Sequence, residues 1–504
     1  MTEAPERRLS QQVGVVVAAR IASTLVDIST AVATARLLSK TDFAVLSYLL
    51  ILYQVLRYLA MMGFPDSVFY FFERLSGSAR RAICLQTFLV LAATAAGAGG
   101  LLLLSSHAVP HLVSDDWTGG NVQDLQRFLP WLALVAVLEI PTWPAMNVLL
   151  ASGRHRHAAL YEVLFSVLTF AGLIGPLALG YSLRYALIGL AVYAAVRLIV
   201  SVTWVWLVLP ASTLRPRPGL LGEQVRFAIP LGSSLLVNRM NRYADKFVVG
   251  AMLTPAALAE YNIASQEIPL VAVLPYAVGT VLITRYVRLV KDDRRQELLE
   301  LWYKGIRKMS LFVVPITVLL IAIAPEAIPL IFGRENYEAA IRPFQICTTV
   351  LLLRVASFSS ILQSFGDTRA VLWVALSRFA GNVALTIPFT LWWGTVGTAG
   401  ATALASFLNL FHILAILSRH MQLPAHRVLP FGYYGKVLAV ALASAGATWG
   451  LRLLHVLPLE EVPRMGATVV AYGVVFLVVG SLTGVISRED RGHLRDWLSL
   501  KYLR

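Results

Sequence analysis

Charged residues are scarce in this chain. Asp, Glu, Lys and Arg make up 14% of its 504 residues, against 57% hydrophobic residues, whereas soluble domains carry about a quarter charged residues. This composition excludes an ordinary soluble domain. Apolar runs of about 20 residues, the length that a helix needs to cross a bilayer, recur from end to end. The sequence therefore predicts a polytopic membrane protein.

Motifs that mark enzymes and metal sites are also missing. The two cysteines, Cys84 and Cys347, lie in different halves of the chain, which leaves no disulfide framework and no metal-ligand spacing. The sequence has no Walker A loop, no zinc-binding H-E-x-x-H and no G-x-S-x-G elbow. We therefore predict no catalytic residue, no cofactor and no metal. No ATP-hydrolysing site is predicted either.

Fourteen apolar segments are long enough to span the membrane. The predicted fold class is an all-α polytopic membrane protein with 14 transmembrane helices. The first segment is longer than a signal-peptide core and lacks a small-residue cleavage site, so we expect it to be retained. The segments start near Val13, Phe43, Ala82, Phe128, Leu160, Ala186, Phe227, Leu258, Met309, Ala339, Ala370, Val396, Val437 and Met465.

Lysine and arginine are concentrated in alternate loops. With a cytoplasmic amino terminus, eight cations between Arg285 and Lys308 lie inside, while the largest outer loop, Ser106 to Gln126, carries Asp115, Asp116 and Asp124. This bias predicts that both termini are cytoplasmic. It also accounts for most of the net charge of +15, because these cations form a cytoplasmic rim that attracts anionic lipid headgroups. No nucleic-acid partner is therefore predicted.

An internal repeat divides the chain. "ARLLSKTDFAVLSY" from Ala35 resembles "GAMLTPAALAEYN" from Gly250, and "ASGRHRHAALYEVL" from Ala151 resembles "QSFGDTRAVLWVAL" from Gln363 at nearly the same offset. Because each unit holds six predicted spans, a pseudo-twofold axis along the membrane normal should relate the two. We predict an N-terminal lobe at 1–214, a C-terminal lobe at 215–420, and spans thirteen and fourteen with a cytoplasmic tail at 421–504.

Span seven carries charges at membrane depth. Its stretch "NRMNRYADKFVV" begins at residue 238 and places Arg239, Arg242, Asp245 and Lys246 on one face of a helix. A charge at mid-helix costs about 3 kcal/mol on insertion scales. This face must therefore point to a polar or hydrated interior.

Cations outnumber acids in the other spans as well. Arg20 and Asp27 share a face of span one, and Glu139 precedes Pro141 and Pro144, which interrupt span four. A surplus of arginine suits an anion, because the guanidinium binds two phosphate oxygens at once. The other charges assigned to membrane depth are Arg57, Glu162, Arg197, Glu260, Glu267, Arg342, Arg354 and Arg378.

Two interpretations of these charges are open: they line a substrate cavity, or they form structural pairs between helices. For Arg197 and Arg342, near span ends, we expect snorkelling to the interface. We expect a second set of cations to bind substrate. That set is Arg20, Arg57, Arg239, Arg242, Lys246, Arg354 and Arg378.

Three acids are candidates for ion coupling. Asp27 and Asp245 either orient a neighbouring arginine or carry a proton, and Glu267 lies just before Pro269, where a bent helix can mark a gating element.

Two stretches resemble a known family. "YADKFVVGAMLTPAALAEYNIA", Tyr243 to Ala264, resembles the seventh-span signature of Wzx-type lipid-linked oligosaccharide flippases, with an Asp followed by Lys, a Leu-x-Pro loop and a Tyr. "TARLLSKTDFAVLSYLL", Thr34 to Leu50, is similar to the family's first loop, with Ser-Lys where the family usually has Gly-Pro. The resemblance implies the fold of the multidrug/oligosaccharidyl-lipid/polysaccharide exporter superfamily, with two six-helix lobes around a central cavity.

The resemblance also implies a function and partners. The implied activity is translocation of undecaprenyl-pyrophosphate-linked repeat units across the bacterial cytoplasmic membrane for surface polysaccharide synthesis, by ion-coupled alternating access. The implied partners are the lipid-linked oligosaccharide, the phospholipid bilayer, a polysaccharide polymerase and a chain-length regulator.

Three alternatives stay open. Lipid II flippases of this superfamily keep arginines in spans one, two and eight; Arg20 and Arg57 fit the first two, but span eight carries Glu260 and Glu267. Multidrug or cation antiporters normally stop at twelve spans and rely on buried acids. A membrane-bound polysaccharide polymerase usually needs a large outer loop, and none here exceeds Ser106 to Gln126.

Overall fold

The computed structural model of the protein is helical throughout the part of the chain that it describes. That part comprises residues 3–76, 78–117, 119–208, 218–266, 271, 282–283, 285–333, 337–454 and 461–487, and these residues contain no strand. Many of the helices are long and apolar. The predicted class, an all-α multi-pass membrane protein, is therefore confirmed.

The first of two compact units is Met1–Ala259. Two proline-containing breaks shape it: α2 passes into α3 at Met62 and Gly63, and α5 passes into α6 through a 3-10 turn at Ile140–Thr142. Its helices are α1 (Glu3–Leu37), α2 (Lys40–Met61), α3 (Phe64–Arg74), α4 (Ser78–Leu104), α5 (Gly119–Glu139), α6 (Pro144–Ala151), α7 (His155–Ala178), α8 (Leu183–Val208) and α9 (Pro218–Met252).

The second compact unit is Glu260–Arg504, so the division falls inside α10 (Pro255–Ala264). The lobe boundaries at 214/215 and 420/421 stay predictions. The further helices are α11 (Arg295–Phe332), α12 (Ile341–Thr349), α13 (Phe358–Ser364), α14 (Thr368–Met421), α15 (Ala425–Val428), α16 (Phe431–Leu453) and α17 (Glu461–Leu482).

Nine helical segments of the described chain are long and apolar enough to cross a membrane. The helices of predicted spans one and seven, α1 and α9, are 35 residues long but are not among them, in keeping with the charges that both carry. Most of predicted span eight lies outside the described residues. The count of 14 spans therefore stays a prediction.

α14 is a hairpin of two helices and contains predicted spans eleven and twelve. Its backbone leaves the helical region at Gly394 (φ 58°, ψ −139°). Thr402 donates a hydrogen bond to Asn382 Oδ1 at 3.2 Å, although 20 residues of straight helix would span about 30 Å. A Cβ on Gly397 would lie 1.9 Å from the carbonyl oxygen of Phe389, so the glycine permits the close return.

The start of α14 is fixed to its end by a capping aspartate. Asp367 Oδ1 accepts a hydrogen bond from the Ala370 N–H at 2.8 Å, and Oδ2 lies 3.0 Å from His420 Nε2. These contacts, the Ala370 N–H first, hold the pKa of Asp367 below its ordinary value. The stabilisation is therefore complete above the ordinary aspartate pKa and is lost as pH falls through the lower pKa of the folded state.

Replacing Asp367 by Ala should lower the free energy of unfolding by about 1 kcal/mol at pH 7, because the helix loses its cap. Denaturant titration in detergent at several pH values measures this. The gap from wild type should close as pH falls below about 4. Asp367→Asn, which keeps a capping oxygen, is the control; a gap that is the same at every pH would contradict this account.

α9 packs tightly on the corner between α2 and α3. A Cβ on Gly232 would lie 2.1 Å from the carbonyl carbon of Met62, and a Cβ on Gly63 (φ +78°) would lie 2.5 Å from the carbonyl oxygen of Ala228. Fully buried Gln224 donates hydrogen bonds to Ser67 Oγ at 2.9 Å and Thr87 Oγ1 at 2.7 Å. These contacts fix the position of α9, and with it the charged face of predicted span seven.

α16 and α17 pack against α11 in the second unit. The Tyr472 hydroxyl donates a hydrogen bond to the Pro315 carbonyl oxygen at 3.0 Å. Arg452 Nη1 donates to Glu326 Oε1 at 2.7 Å. Predicted spans thirteen and fourteen are thus attached to predicted span nine.

Candidate functional site

The predicted site residues belong to both compact units. Those of the first unit are on α1, α2 and α9, and those of the second are on α14 and the 3-10 turn Val350–Val355. Glu267 lies outside the described residues. The others are Arg20, Asp27, Arg57, Arg239, Arg242, Asp245, Lys246, Arg354 and Arg378.

Arg20 is paired with an acid on another helix. Its Nη1 donates to Glu162 Oε1 on α7 at 2.8 Å, and Ser23 Oγ donates to the same oxygen at 3.3 Å. The Arg20 side chain is 66% exposed and that of Glu162 is 10% exposed. Asp27 lies within electrostatic range of both. Two carboxylates therefore share one accessible arginine.

Arg57 is enclosed by aromatic rings. Its guanidinium carbon lies 4.4 Å from the ring centre of Trp143, 5.0 Å from that of Tyr58 and 5.5 Å from that of Tyr53. The residue is 8% exposed. Nη2 donates to Tyr58 Oη at 3.3 Å, while the buried Nε has no hydrogen-bond partner within the described chain. Cation–π attraction, not a contacting carboxylate, holds this charge.

Glu139 is the acid within electrostatic range of Arg57. It forms its ion pair with Arg197 and not with Arg57. Arg197 Nη1 donates to Glu139 Oε1 at 2.9 Å, and the Tyr53 hydroxyl donates to Oε2 at 2.5 Å. Arg197 also donates to Tyr193 Oη at 2.6 Å. The side chains of the ion pair are 12% and 8% exposed. The expectation that Arg197 snorkels is wrong, because it lies near the middle of α8 and faces this acid.

Arg239 is held differently from the other cations. Its guanidinium carbon lies 4.9 Å from the ring centre of Tyr58, and Asp66 lies within electrostatic range. Arg239 is half-buried and makes no hydrogen bond or ion pair with any described residue. Its N–H groups are therefore available to a ligand.

The rest of the charged face of α9 surrounds Arg239. Arg242 is exposed and Lys246 is half-buried. Asp245 is 5% exposed, and its Oδ1 accepts a hydrogen bond from the Lys246 backbone N–H at 2.8 Å. The predicted polar face is thus present on α9, with its acid turned inward and its arginines more accessible.

Five side chains form a continuous series that we name the arginine–aromatic column: Arg197, Trp143, Arg57, Tyr58 and Arg239. Trp143 lies between the first two arginines, with Arg197 5.1 Å from its ring centre. Tyr58 in turn contacts Arg57 and Arg239. The column joins a sealed ion pair to a half-buried arginine on α9.

The break in predicted span four builds the middle of this column. α5 ends at Glu139, and Trp143 follows the 3-10 turn that contains Pro141. The break therefore presents the acid and the indole one after the other. Sequence reasoning identified the interruption but did not identify Trp143, Tyr58 or the pairing of Glu162 with Arg20.

In the second unit, Arg354 and Arg378 are half-buried and in contact with neighbours. The Arg354 backbone is irregular (φ −85°, ψ 24°). Asn382, predicted beside Arg378, is 2% exposed and accepts hydrogen bonds from Thr386 and Thr402. The substrate-binding role of these arginines stays a prediction.

Acidic, histidine and cysteine side chains are dispersed. No group of three or more that could hold a metal ion occurs in the ranges that the structure describes.

The helical architecture is similar to that of several solved membrane proteins. The chain is similar to the lipid II flippase MurJ in an inward closed conformation, with a TM-score of 0.73 and 15% identity over 93% of this chain and 98% of that one. It is also similar to an inward-facing multidrug resistance MATE transporter of the MOP superfamily (TM-score 0.62, 14% identity, 81% of this chain and 95% of that one). A Vibrio cholerae MATE transporter, VcmN, gives a TM-score of 0.51 at 10% identity over 82% and 97% of the two chains.

At these identities the likeness establishes the fold alone, which the chain shares with MurJ and the MATE transporters. The profile of a family described as "polysaccharide biosynthesis protein" matches residues 122–341. A search of curated proteins finds no match. The predicted exporter fold is thus confirmed, while the resemblance to Wzx-type flippases stays a prediction.

Proposed function

We propose that the protein is a flippase that moves an undecaprenyl-pyrophosphate-linked oligosaccharide across the bacterial cytoplasmic membrane for surface polysaccharide synthesis. The observation that carries this proposal is the state of Arg239: half-buried on a membrane-depth helix, fixed by the Tyr58 ring, with its N–H groups unused by any described residue. The transporter fold and the polysaccharide-biosynthesis profile support it.

A diphosphate is the headgroup component that best matches this arrangement. Arginine presents a planar set of donors that binds two phosphate oxygens at once, and such charge-assisted bonds are stronger than neutral ones. Arg242 and Lys246 on the same face add positive charge beside Arg239. An anion that leaves water for this face regains hydrogen bonds there, and its polyprenyl tail stays in lipid.

The remaining cations have different roles in this proposal. Arg20 is neutralised by Glu162. In this proposal an acidic sugar replaces the Glu162 carboxylate as the partner of Arg20. Arg354 and Arg378, in the second unit, stay candidate substrate ligands. Asp27, Asp245 and Glu267 are the candidates for ion coupling in an alternating-access cycle, and Glu162 joins them because it shares Arg20 with Asp27.

The topology in this proposal follows the basic loops. Both termini are cytoplasmic, and the lipid-linked sugar enters from the side where eight cations lie between Arg285 and Lys308. A polysaccharide polymerase and a chain-length regulator act on the product at the outer face.

Changing Arg239 and Arg242 together to Gln tests the proposal. Each charge-assisted hydrogen bond is worth about 1.5–3 kcal/mol, so surface polysaccharide should fall by about tenfold or more at equal protein level. The measurement is polymer on cells that carry only the variant. Arg184→Gln, an exposed arginine at the start of α8, is the matched control and should leave polymer unchanged. Normal polymer in the double variant would remove both residues from the site.

A second candidate is a lipid II flippase, favoured by the structural likeness over nearly the full length of both chains. Both substrates carry a diphosphate, so the two candidates are separated by the phenotype of a deletion strain. Deletion of an oligosaccharide flippase removes the surface polymer and leaves its lipid-linked sugar on the cytoplasmic face. Deletion of a required lipid II flippase stops cell-wall growth.

A further inference from the structure

The arginine–aromatic column changes from sealed to accessible along its length. Arg57 in its middle is 8% exposed, whereas Tyr58 and Arg239 at its end are half-buried. A ligand that reaches the column from the α9 face therefore meets Arg239 and Tyr58 before Arg57.

We propose that Arg239 is the direct ligand of a diphosphate and that Tyr58 is its positioning residue, through which Arg57 acts without touching the anion. The identity of the headgroup rests on the proposed function. The assignment of Tyr58 and the indirect role of Arg57 go beyond it, since the charged residues alone suggest that both arginines bind in the same way.

Arg57 is built to hold Tyr58, not to bind an anion. Three aromatic rings surround its guanidinium, and its one hydrogen bond to a described residue goes to Tyr58 Oη at 3.3 Å. That bond and the cation–π contact at 5.0 Å fix the phenol ring. The ring is thus a rigid surface before any ligand arrives.

Tyr58 in turn fixes Arg239 without using its donors. The guanidinium carbon of Arg239 lies 4.9 Å from the Tyr58 ring centre, and cation–π attraction requires no hydrogen bond from the N–H groups. A long side chain that is ordered in advance loses less conformational freedom on binding. Tyr58 therefore increases the affinity of Arg239 for phosphate oxygens.

Nearby groups favour a ligand with more than one charge. Asp66 lies within electrostatic range of Arg239, so a bound anion must compete with a carboxylate. Tyr243, one turn after Arg239 on α9, lies within electrostatic range of Tyr58 and Arg242. A diphosphate carries enough charge to outcompete Asp66 and enough oxygens to reach Arg239 and Arg242 together.

The experiment is calorimetric titration of the purified full-length protein in detergent with inorganic pyrophosphate and, separately, inorganic phosphate. Wild type should bind pyrophosphate more tightly than phosphate. Arg239→Gln should abolish that preference. Tyr58→Leu should weaken pyrophosphate binding about three- to tenfold, the size of a partly desolvated cation–π contact. Tyr58→Phe should restore it to within about twofold, since the ring is kept.

Two further variants separate positioning from folding. Tyr185→Leu makes the same substitution at a tyrosine that is 50% exposed and outside the column, and it should bind pyrophosphate like wild type. Arg57→Gln should weaken binding only a few-fold, far less than Arg239→Gln. If Tyr58→Leu does not fold, this comparison still decides between a direct and an indirect role for Arg57.

The outcomes also separate this inference from the proposed function. Equal pyrophosphate binding by wild type and Tyr58→Leu, or equal losses in Arg57→Gln and Arg239→Gln, would overturn the inference while polymer export stands. If the variants show the expected pattern of pyrophosphate binding but the protein exports no polymer, the diphosphate site would stand and the proposed flippase function would be wrong.

Discussion

Replacing Glu139 by Leu is expected to lower the free energy of unfolding by about 3–5 kcal/mol, the cost of leaving a buried charge without its partner. Glu139 pairs with Arg197 at 2.9 Å and accepts the Tyr53 hydroxyl. It is also within electrostatic range of Arg57. The substitution would leave two guanidiniums in the interior of the first unit with no acid in contact. Denaturant titration in detergent measures the loss.

A double variant and a surface variant control this prediction. The double variant Glu139→Leu/Arg197→Leu removes both members of the ion pair, so Arg57 is again the one buried arginine in excess over acids, as in wild type. It should recover much of the stability, because a buried pair can be replaced by apolar residues at little cost. Glu73→Leu, at an exposed acid in α3, should change it by less than about 0.5 kcal/mol. A loss below about 1 kcal/mol in Glu139→Leu would show that this pair does not stabilise the core.

Replacing Gly232 by Ala should destabilise the protein by about 1–3 kcal/mol, the range for overpacking, and weaken polymer export. The new Cβ would meet the Met62 backbone at 2.1 Å, and backbone cannot move aside as a flexible side chain can. α9 would therefore shift away from α2. Because Arg239 and Tyr58 are on these two helices, the same shift would separate them.

Gly222→Ala is the matched control on the same helix. A Cβ at Gly222 has no atom within 4 Å, so the substitution should raise stability by about 0.5–1 kcal/mol through better helix propensity. The two substitutions are chemically identical and should have opposite signs. The same sign at both positions would contradict the close approach of α9 to the α2–α3 corner.

The sequence was most informative where one helix carries the whole signal. The polar face of span seven could be predicted because Arg239, Arg242 and Lys246 recur at helical spacing on one segment. The break after Glu139 could be predicted from Pro141 and Pro144. The all-helical membrane fold follows from apolar runs alone.

Partnerships between helices could not be predicted in the same way. Helical spacing placed Arg20 and Asp27 on one face of span one, but it could not show that Arg20 contacts Glu162, which is 142 residues away. Periodicity gives the direction of a side chain and not the helix that it faces. Arg197 was placed at the interface for the same reason, because its counter-ion Glu139 belongs to another span.

Aromatic residues were missed because they carry no unusual signal in an apolar segment. Tyr58 and Trp143 look like ordinary membrane residues in the sequence. Only the fold places each of them against two guanidiniums. Aromatic rings can therefore stabilise an arginine at membrane depth, as acids do.

Reconstitution into liposomes tests the central claim most directly. The purified protein and undecaprenyl-pyrophosphate-linked oligosaccharide are incorporated into the same liposomes. A membrane-impermeant glycosidase, added outside afterwards, cleaves only the sugar in the outer leaflet and so measures how much has crossed. Wild type should translocate the lipid without covalent change, and the Arg239→Gln/Arg242→Gln variant should not. Sugar transferred to another molecule, no movement by wild type, or equal movement by the variant would contradict a flippase that binds its headgroup through α9.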